Sequence, residues 1–492
     1  MHRDRKVDFD QPPPPNSKLL VQDLELPTLF AAMGDGDPFL TDVARHTVIT
    51  SLTDLTAIEY RRAIVEDSLD NAAIVREMYD VVATAIAVES KIFHSRLAKA
   101  PDAVLNEARR SLRCFAGPMR RLRQIGDEHG AAFASPGFRT FFDMLESELD
   151  DAYLNTIDDH LRGLNFRHGP LISVQLGRGN RGTGFRLHKS GNLPWVRWPP
   201  IGSRRTFSFE IGEHDLTGSE ELGRLRSRGV DRAANAVARA AAHVLRFFTT
   251  LRSELAFYVG CINLHDRLVA KGEPTCFPVP TSGDDGPVLR AAGLYDIGLT
   301  MSIDERAVGN DIDADGRNAI VITGANQGGK STFLRGLGTA QLMMQCGMFA
   351  PARSLSADVR SGVFTHFRRE EDEEMASGKL DEELARMDDI VRSVETDGMV
   401  LCNESFSSTN EREGSEIARH VVRAFMAAGV KIVFVTHLFD FADGMRRSDG
   451  ESVLFLRASR GLEGRRTYRL VEGPPLPTSF GEDVYRQVFA DG

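Results

Sequence analysis

The sequence predicts an α/β domain of the parallel-sheet kind, preceded by a mainly α-helical region that carries a small basic, β-rich insert. Three observations carry this. Beyond residue 286, short apolar runs alternate with helix-compatible segments, the rhythm of a sheet flanked by helices. Before it, apolar residues recur three and four apart over long stretches. Between two such stretches lies a segment without a single Asp or Glu.

Taken in order, residues 1–20 include the run Pro12 to Pro15 and read as a solvated, disordered tail, because prolines remove backbone donors and favour extended chain. From Leu24 to about Leu161 the pattern is helical, with Gly117-Pro118 and Ser135-Pro136-Gly137 expected as turns. Within 162–212, the stretch from Arg162 to Phe209 holds nine basic residues: Arg162, Arg167, Arg178, Arg181, Arg186, Lys189, Arg197, Arg204 and Arg205. Its short runs "LISVQL", "WVRW" and "TFSFEI" suit strands. Helical periodicity returns from about Ser219 to Leu268, long enough for one extended helix or two packed ones. "KGEPTCFPVPTSGDDGP" concentrates turn residues and sets the expected boundary between a domain over 21–285 and another over 286–492.

Composition narrows the class. A chain of 492 residues exceeds one ordinary core, so two or three domains are expected. The formal net charge of -10 argues against a protein that coats nucleic acid indiscriminately, yet leaves room for a local basic surface. Five scattered cysteines, none in a C-x-x-C pair, fit neither a disulfide framework nor a zinc site and suit a reducing cytoplasm. The first residues lack an apolar h-region, and the longest uncharged stretch is broken by Gln341, Gln345 and glycines, so neither a signal peptide nor a membrane span is expected.

The strongest chemical signal is "NAIVITGANQGGKSTFLRGLGTA". An apolar strand runs into Gly324, Ala325, Asn326, Gln327, Gly328, Gly329, Lys330 and Ser331, then into a helix-compatible run from Thr332, which is a complete phosphate-binding loop. Glycines let backbone N–H groups face phosphates, and the helix N-terminus adds partial positive charge. Lys330 is placed for the β and γ phosphates of ATP, and the Ser331 hydroxyl for Mg2+.

"MVLCNE" supplies a buried strand whose end turns Asn403 and Glu404 toward the same phosphates. Glu404 is the candidate general base. Asn403 stands where a nucleotide hydrolase normally has Asp; it accepts hydrogen bonds and brings no charge to the metal. A third strand, "KIVFVTH", ends in the same manner at His437, a candidate sensor of the γ-phosphate.

These residues resemble the MutS family of DNA mismatch-repair ATPases. "TGANQGGKSTFLRGLGTAQLMMQCGMFAPARS" is similar to that family's loop and downstream Pro-Ala element, "SGKLDEELARMDDIV" to its helix before the Asp-Glu strand, "VTHLFDFA" to its Thr-His segment and "TSFGEDVY" to its closing element. "DLELPTLFAAMGDGDPFL" and "YRRAIVEDSLDN" resemble more weakly the helical core and lever.

The resemblance implies an ABC-like ATPase domain that dimerises, with a loop of one subunit completing the other's site. Carried over by position, Ser408 and Thr409 would approach the partner's γ-phosphate. It also implies a helical core and lever joined to a DNA clamp, and the basic insert stands where that clamp would be. Arg178, Arg181, Arg186, Lys189, Arg204 and Arg205 are then the candidate contacts to DNA phosphates. Direct mismatch reading is not expected: the family's Phe-x-Glu wedge lies in an N-terminal domain, and the one Phe-x-Glu here, Phe480-Gly481-Glu482, follows the ATPase region. The expectation is an ATP-hydrolysing, Mg2+-dependent homodimer that clamps duplex or branched DNA and meets other repair proteins. A regulatory ATPase or nucleotide-gated scaffold acting on a protein or ribonucleoprotein stays open beside it.

Overall fold

The computed structural model describes residues 12–92, 100–166, 169–188, 210–212, 214–284, 286–325, 327–369, 378–460 and 466–476. Lys189, Arg204, Arg205, Asn326, the acidic run 370–374 and the "TSFGEDVY" element lie outside them. Two compact units emerge, and neither follows a single cut near residue 285: Met1–Ala72, Ala134–Gly137 and Ala256–Gly492 form one, while Ala73–Phe133 and Phe138–Leu255 form the other.

The second of these is mainly helical. Its helices are Ala72–Glu89, Pro101–His129, Pro136–Glu148, Asp151–Gly163 and the first part of a single 55-residue helix, Leu216–Ala270. Leu105, Val230 and Ala234 bury together, as do Ala108, Leu112, Leu161 and Ala241, and the Phe115 and Phe248 rings meet at 4.6 Å between centroids. Heptad-like spacing of the apolar face explains why one unbroken helix forms where two were possible.

The turn expected at Gly117-Pro118 is absent. The helix Pro101–His129 runs straight through Pro118. Proline removes one backbone bond, at a cost of ~3 kcal/mol in a helix interior. Burial of Phe115, Met119, Leu122 and Ile125 along one stripe across that point offsets it.

The segment expected to be β-rich contains an antiparallel hairpin, β1 (Leu171–Leu176) and β2 (Gly182–His188), with Ile172 opposite Leu187 and Ser173 opposite Arg186. Leu187 packs beside Leu105 and Val230, and Ile172 lies against Gly229, so close that a Cβ there would meet its Cδ1 at 2.2 Å. The hairpin is thereby seated on the long helix.

The other unit contains two sheets. One has four strands in the order β3 (Val279–Thr281), β7 (Ser354–Asp358), β4 (Leu289–Leu294) and β5 (Asn310–Asp313). The other has six, in the order β12 (Arg466–Glu472), β11 (Val453–Arg460), β6 (Ala319–Thr323), β10 (Lys431–Val435), β9 (Met399–Asn403) and β8 (Val363–Phe367). All neighbours in it pair in parallel except β11 and β12. Strands β6, β8 and β10 are buried at every position, which is what a parallel sheet covered on both faces requires.

The helix Lys330–Gln345 is held tightly in this unit. A Cβ on Gly336 would meet the Tyr295 carbonyl oxygen at 2.9 Å, and one on Gly338 the Leu401 side chain at 2.6 Å. Gln345 donates to the carbonyls of Leu52 and Arg360, and Gln341 to that of Asp358, so these glutamines satisfy buried backbone acceptors. Residues before Ala72 also belong here for a physical reason. Met33 packs on Gly260 and its carbonyl accepts from Asn263, Arg335 donates to Glu25, and Asp67 accepts from the backbone N–H groups of Ala134 and Ser135.

Candidate nucleotide-binding site

The site is assembled at the C-terminal ends of β6, β9 and β10. β6 stops at Thr323, and the chain turns through Gly324 (φ 110°), Gln327 (φ 59°) and Gly329 (φ 90°) before the helix begins at Lys330. These left-handed angles favour glycine at two positions and are tolerated by Gln327 at the third. The close approaches are real: a Cβ on Gly324 would meet the Ala458 nitrogen at 2.9 Å, and one on Gly329 the Tyr468 oxygen at 3.3 Å. The far wall of the loop is therefore β11 and β12. Arg466 of β12 also hydrogen-bonds Gln327.

Lys330 opens the helix and is 5 % exposed, so its charge must be met nearby. Its Nζ donates to the carbonyls of Gly324 at 2.9 Å and Ala325 at 3.1 Å. Burial lowers its pKa, and the neighbouring Glu404 works against that shift. Ser331 Oγ donates to Asn403 Oδ1 at 2.9 Å, joining the first turn of the helix to the end of β9. Thr332 follows, half-buried in the same turn.

Glu404 and Phe406 adopt left-handed backbone angles, φ 56° and 61°, uncommon for such residues. The Glu404 N–H donates to the Val435 carbonyl, which ties the loop to β10, and its carboxylate accepts from His437 Nδ1. That hydrogen bond is the main reason the His437 pKa is raised above the ordinary imidazole value. Lys330, Ser331, Asn403, Glu404 and His437 thus converge.

Ser408 and Thr409 continue the loop and are half-buried. Ser408 Oγ donates to Glu383 Oε1 at 3.0 Å, and Thr409 Oγ1 to Glu413. Sequence reasoning missed Glu383, whose pKa burial raises and whose second carboxylate oxygen lacks a hydrogen-bond partner among the described residues. It missed His366 too. On β8, His366 is buried, stacks on Phe406, hydrogen-bonds Ser405 Oγ through Nδ1 at 2.7 Å and reaches the Glu383 carbonyl through Nε2 at 3.0 Å. Burial lowers its pKa to about 4. The apolar strand "VFTHF" was the available signal, a polar residue at a core position.

In the helical unit, Arg178, Arg181 and Arg186 are exposed on the hairpin. Arg178 sits in the turn between the strands, Arg181 just before β2 and Arg186 on it. Among the described residues, no helix is long and apolar enough to cross a membrane, and no cluster of His, Cys, Asp and Glu is suited to a metal ion.

Two family models match separate stretches of the chain. The MutS2 N-terminal domain model matches residues 53–271, and the MutS domain V model matches residues 320–486. Endonuclease MutS2 of Lacticaseibacillus casei is 31% identical over 255 residues, 48% of this chain and 31% of that protein. DNA mismatch repair protein MutS 2 of Halobacterium salinarum is 30% identical over 207 residues, 41% of this chain and 24% of that protein. MutS protein homolog 4 of Mus musculus is 27% identical over 213 residues, 39% and 22% of the two. The matches span under a third of these relatives' own length. With a MutS model on each side of the sequence and a mixed α/β region following a helical one, the chain belongs to the MutS family.

Proposed function

We propose that this chain is an ATP-binding and ATP-hydrolysing protein of DNA repair or recombination, in which nucleotide-driven switching of a homodimer is coupled to clamping of duplex or branched DNA without direct mismatch reading. The observation that carries the proposal is the convergence of Lys330, Ser331, Asn403, Glu404 and His437 at one end of a parallel sheet, beside a glycine loop that opens a helix. That arrangement is a P-loop site of ABC-like design.

The roles follow from the chemistry of each group. Backbone N–H groups of Gly328, Gly329 and Lys330 cradle the phosphates, and the Lys330 ammonium exchanges the loop carbonyls for β- and γ-phosphate oxygens. Ser331 Oγ and Asn403 Oδ1, already within hydrogen-bond distance of each other, are oxygen donors of the kind Mg2+ takes, with Glu404 beside them. When bound, Mg2+ supplies charge neutralisation of the phosphates. Glu404 orients and deprotonates the attacking water, and His437 holds its carboxylate. Ser408 and Thr409 are offered to the γ-phosphate of the dimer partner. The hairpin arginines Arg178, Arg181 and Arg186 neutralise DNA phosphates.

Asn403 supports a second reading, a nucleotide-gated scaffold on a protein or ribonucleoprotein, because an uncharged ligand weakens Mg2+ binding and slows turnover. One experiment separates them: binding of the wild-type chain to duplex, mismatched, branched and single-stranded DNA, with and without ATP, alongside steady-state hydrolysis. ATP-dependent binding of duplex or branched DNA with equal affinity for matched and mismatched duplexes is expected. No DNA binding in any nucleotide state would leave the scaffold.

A further inference from the structure

The long helix Leu216–Ala270 has a second face that the hairpin does not use. Its inner face is set by Val230, Ala234, Val237, Ala241, Val244 and Phe248, at alternating spacings of four and three, packed on the neighbouring helices of the same unit. Two residues beyond every second member of that seam stand Arg232, Arg239 and Arg246, all exposed. A step of two residues is a rotation of about 200°, so these three arginines occupy the line farthest from the packed face. His243 is exposed one turn from two of them.

From Arg232 to Ser253 the sequence contains no Asp or Glu. On other helices several exposed arginines are paired within the helix: Arg123 with Asp127, Arg224 with Glu221, Arg392 with Asp388 at 2.7 Å, Arg447 with Asp443 at 2.9 Å. Arg232, Arg239 and Arg246 make no ion pair among the described residues. The nearest acid in sequence, Asp231, accepts a hydrogen bond from Asn235 at 3.3 Å. Ala236, Ala240 and Ala242, all exposed, flank the arginines, and such short side chains leave the guanidinium groups standing clear of the helix.

The stripe also begins where the hairpin ends. Ile172 rests on Gly229, and the Arg228 guanidinium lies 6.0 Å from the centre of the Phe185 ring. Arg232 is the next turn. The three arginines are seven residues apart, which places them at intervals of ~10 Å over ~21 Å of helix. Regular, unpaired charge at that spacing suits a partner whose own charge repeats along a line. A duplex nucleic acid presents one phosphate per 3.4 Å of each strand, so ~21 Å of its axis offers about six per strand.

We propose that Arg232, Arg239 and Arg246 form a backbone-contacting track for duplex DNA that continues the hairpin's basic surface along the outer face of the long helix. This rests on the reading of the protein as DNA-binding and adds to it a contact surface outside the insert. The track reads no sequence; it lengthens the footprint and raises the number of phosphates neutralised.

The test compares the wild-type chain with Arg232→Gln/Arg239→Gln/Arg246→Gln, since glutamine keeps helix propensity close to that of arginine. The readout is affinity for a short blunt duplex DNA across a salt series. If each arginine neutralises one phosphate, the log–log salt slope falls by ~2.7 in the triple variant. Helix content and ATP turnover without DNA stay unchanged. Ala236→Glu, which deletes nothing, weakens binding in the same direction. Wild-type binding that the triple variant reproduces in affinity and slope overturns the track alone. A wild type that binds no duplex overturns the DNA-binding reading and the track with it. Competition by polyglutamate as effective per charge as the duplex assigns the stripe to an acidic protein and also overturns the proposal.

Discussion

Ser331 Oγ and Asn403 Oδ1 are joined by a hydrogen bond of 2.9 Å, so the loop helix and the end of β9 meet through an uncharged acceptor. Replacing that acceptor by a carboxylate changes its charge and little of its shape. Asn403→Asp is therefore expected to lower the Mg2+ concentration that half-saturates ATP turnover by roughly tenfold, the scale of one charge-assisted contact. A Mg2+ titration of steady-state hydrolysis reads this directly. An unchanged midpoint would remove Asn403 from the metal site.

Glu404 sits on a strained backbone and receives the His437 ring, the geometry of a group held for chemistry. Glu404→Gln keeps volume and most hydrogen bonding and removes basicity. Turnover is expected to fall by about 100-fold or more, the contribution of a positioned general base, with nucleotide affinity little altered. Hydrolysis measured beside fluorescent-nucleotide binding separates the two. Loss of binding in parallel would make Glu404 structural.

The His437 pKa lies above its ordinary value because of the hydrogen bond to Glu404. For a group raised on folding, the stabilisation is complete below the unfolded value near 6.5 and is lost as pH rises through the folded one. While His437 is protonated, the Glu404 carboxylate faces a cation, which lowers its basicity. Turnover is thus expected to climb with pH over the interval just above 6.5, and His437→Gln should remove that limb from the profile. A profile that keeps the limb would assign it elsewhere.

His366 titrates the other way. Its folded pKa, about 4, lies below the unfolded value, so the imidazole is neutral in both states above 6.5. As pH falls from 6.5 toward 4, the unfolded chain takes up a proton that the folded one refuses. Stability should decline through that window by up to ~3 kcal/mol and no further below it. Denaturant unfolding of wild type and His366→Gln from pH 7 to 4.5 checks this; equal slopes for both would contradict it.

How much of this could be read from the sequence depended on how local the cause was. The strands β6, β9 and β10 are continuous apolar runs ending in polar residues, and each stands where its run of letters put it. The loop glycines were legible because their conformation is encoded at single positions. Pro118 misled, because a local signal for a turn was overridden by burial of Phe115 and Leu122 on either side. The contacts that finish the site were hidden for the opposite reason: Gln327 meets Arg466 across 139 residues, and Ser408 meets Glu383 across 25. No periodicity announces such pairs. The grouping of residues before Ala72 with the sheets was equally invisible, since it rests on Asp67, Met33 and Glu25 reaching partners far along the chain.

The wall behind the glycine loop has a consequence for how the protein comes into being. β6 and the loop leave the ribosome well before β11 and β12, yet Ala458, Arg466 and Tyr468 are what shape the loop from behind. Domains generally form in order of synthesis, N-terminal parts first. A nascent chain halted between the loop and β12 would carry every residue of the motif and still lack the strands that line it.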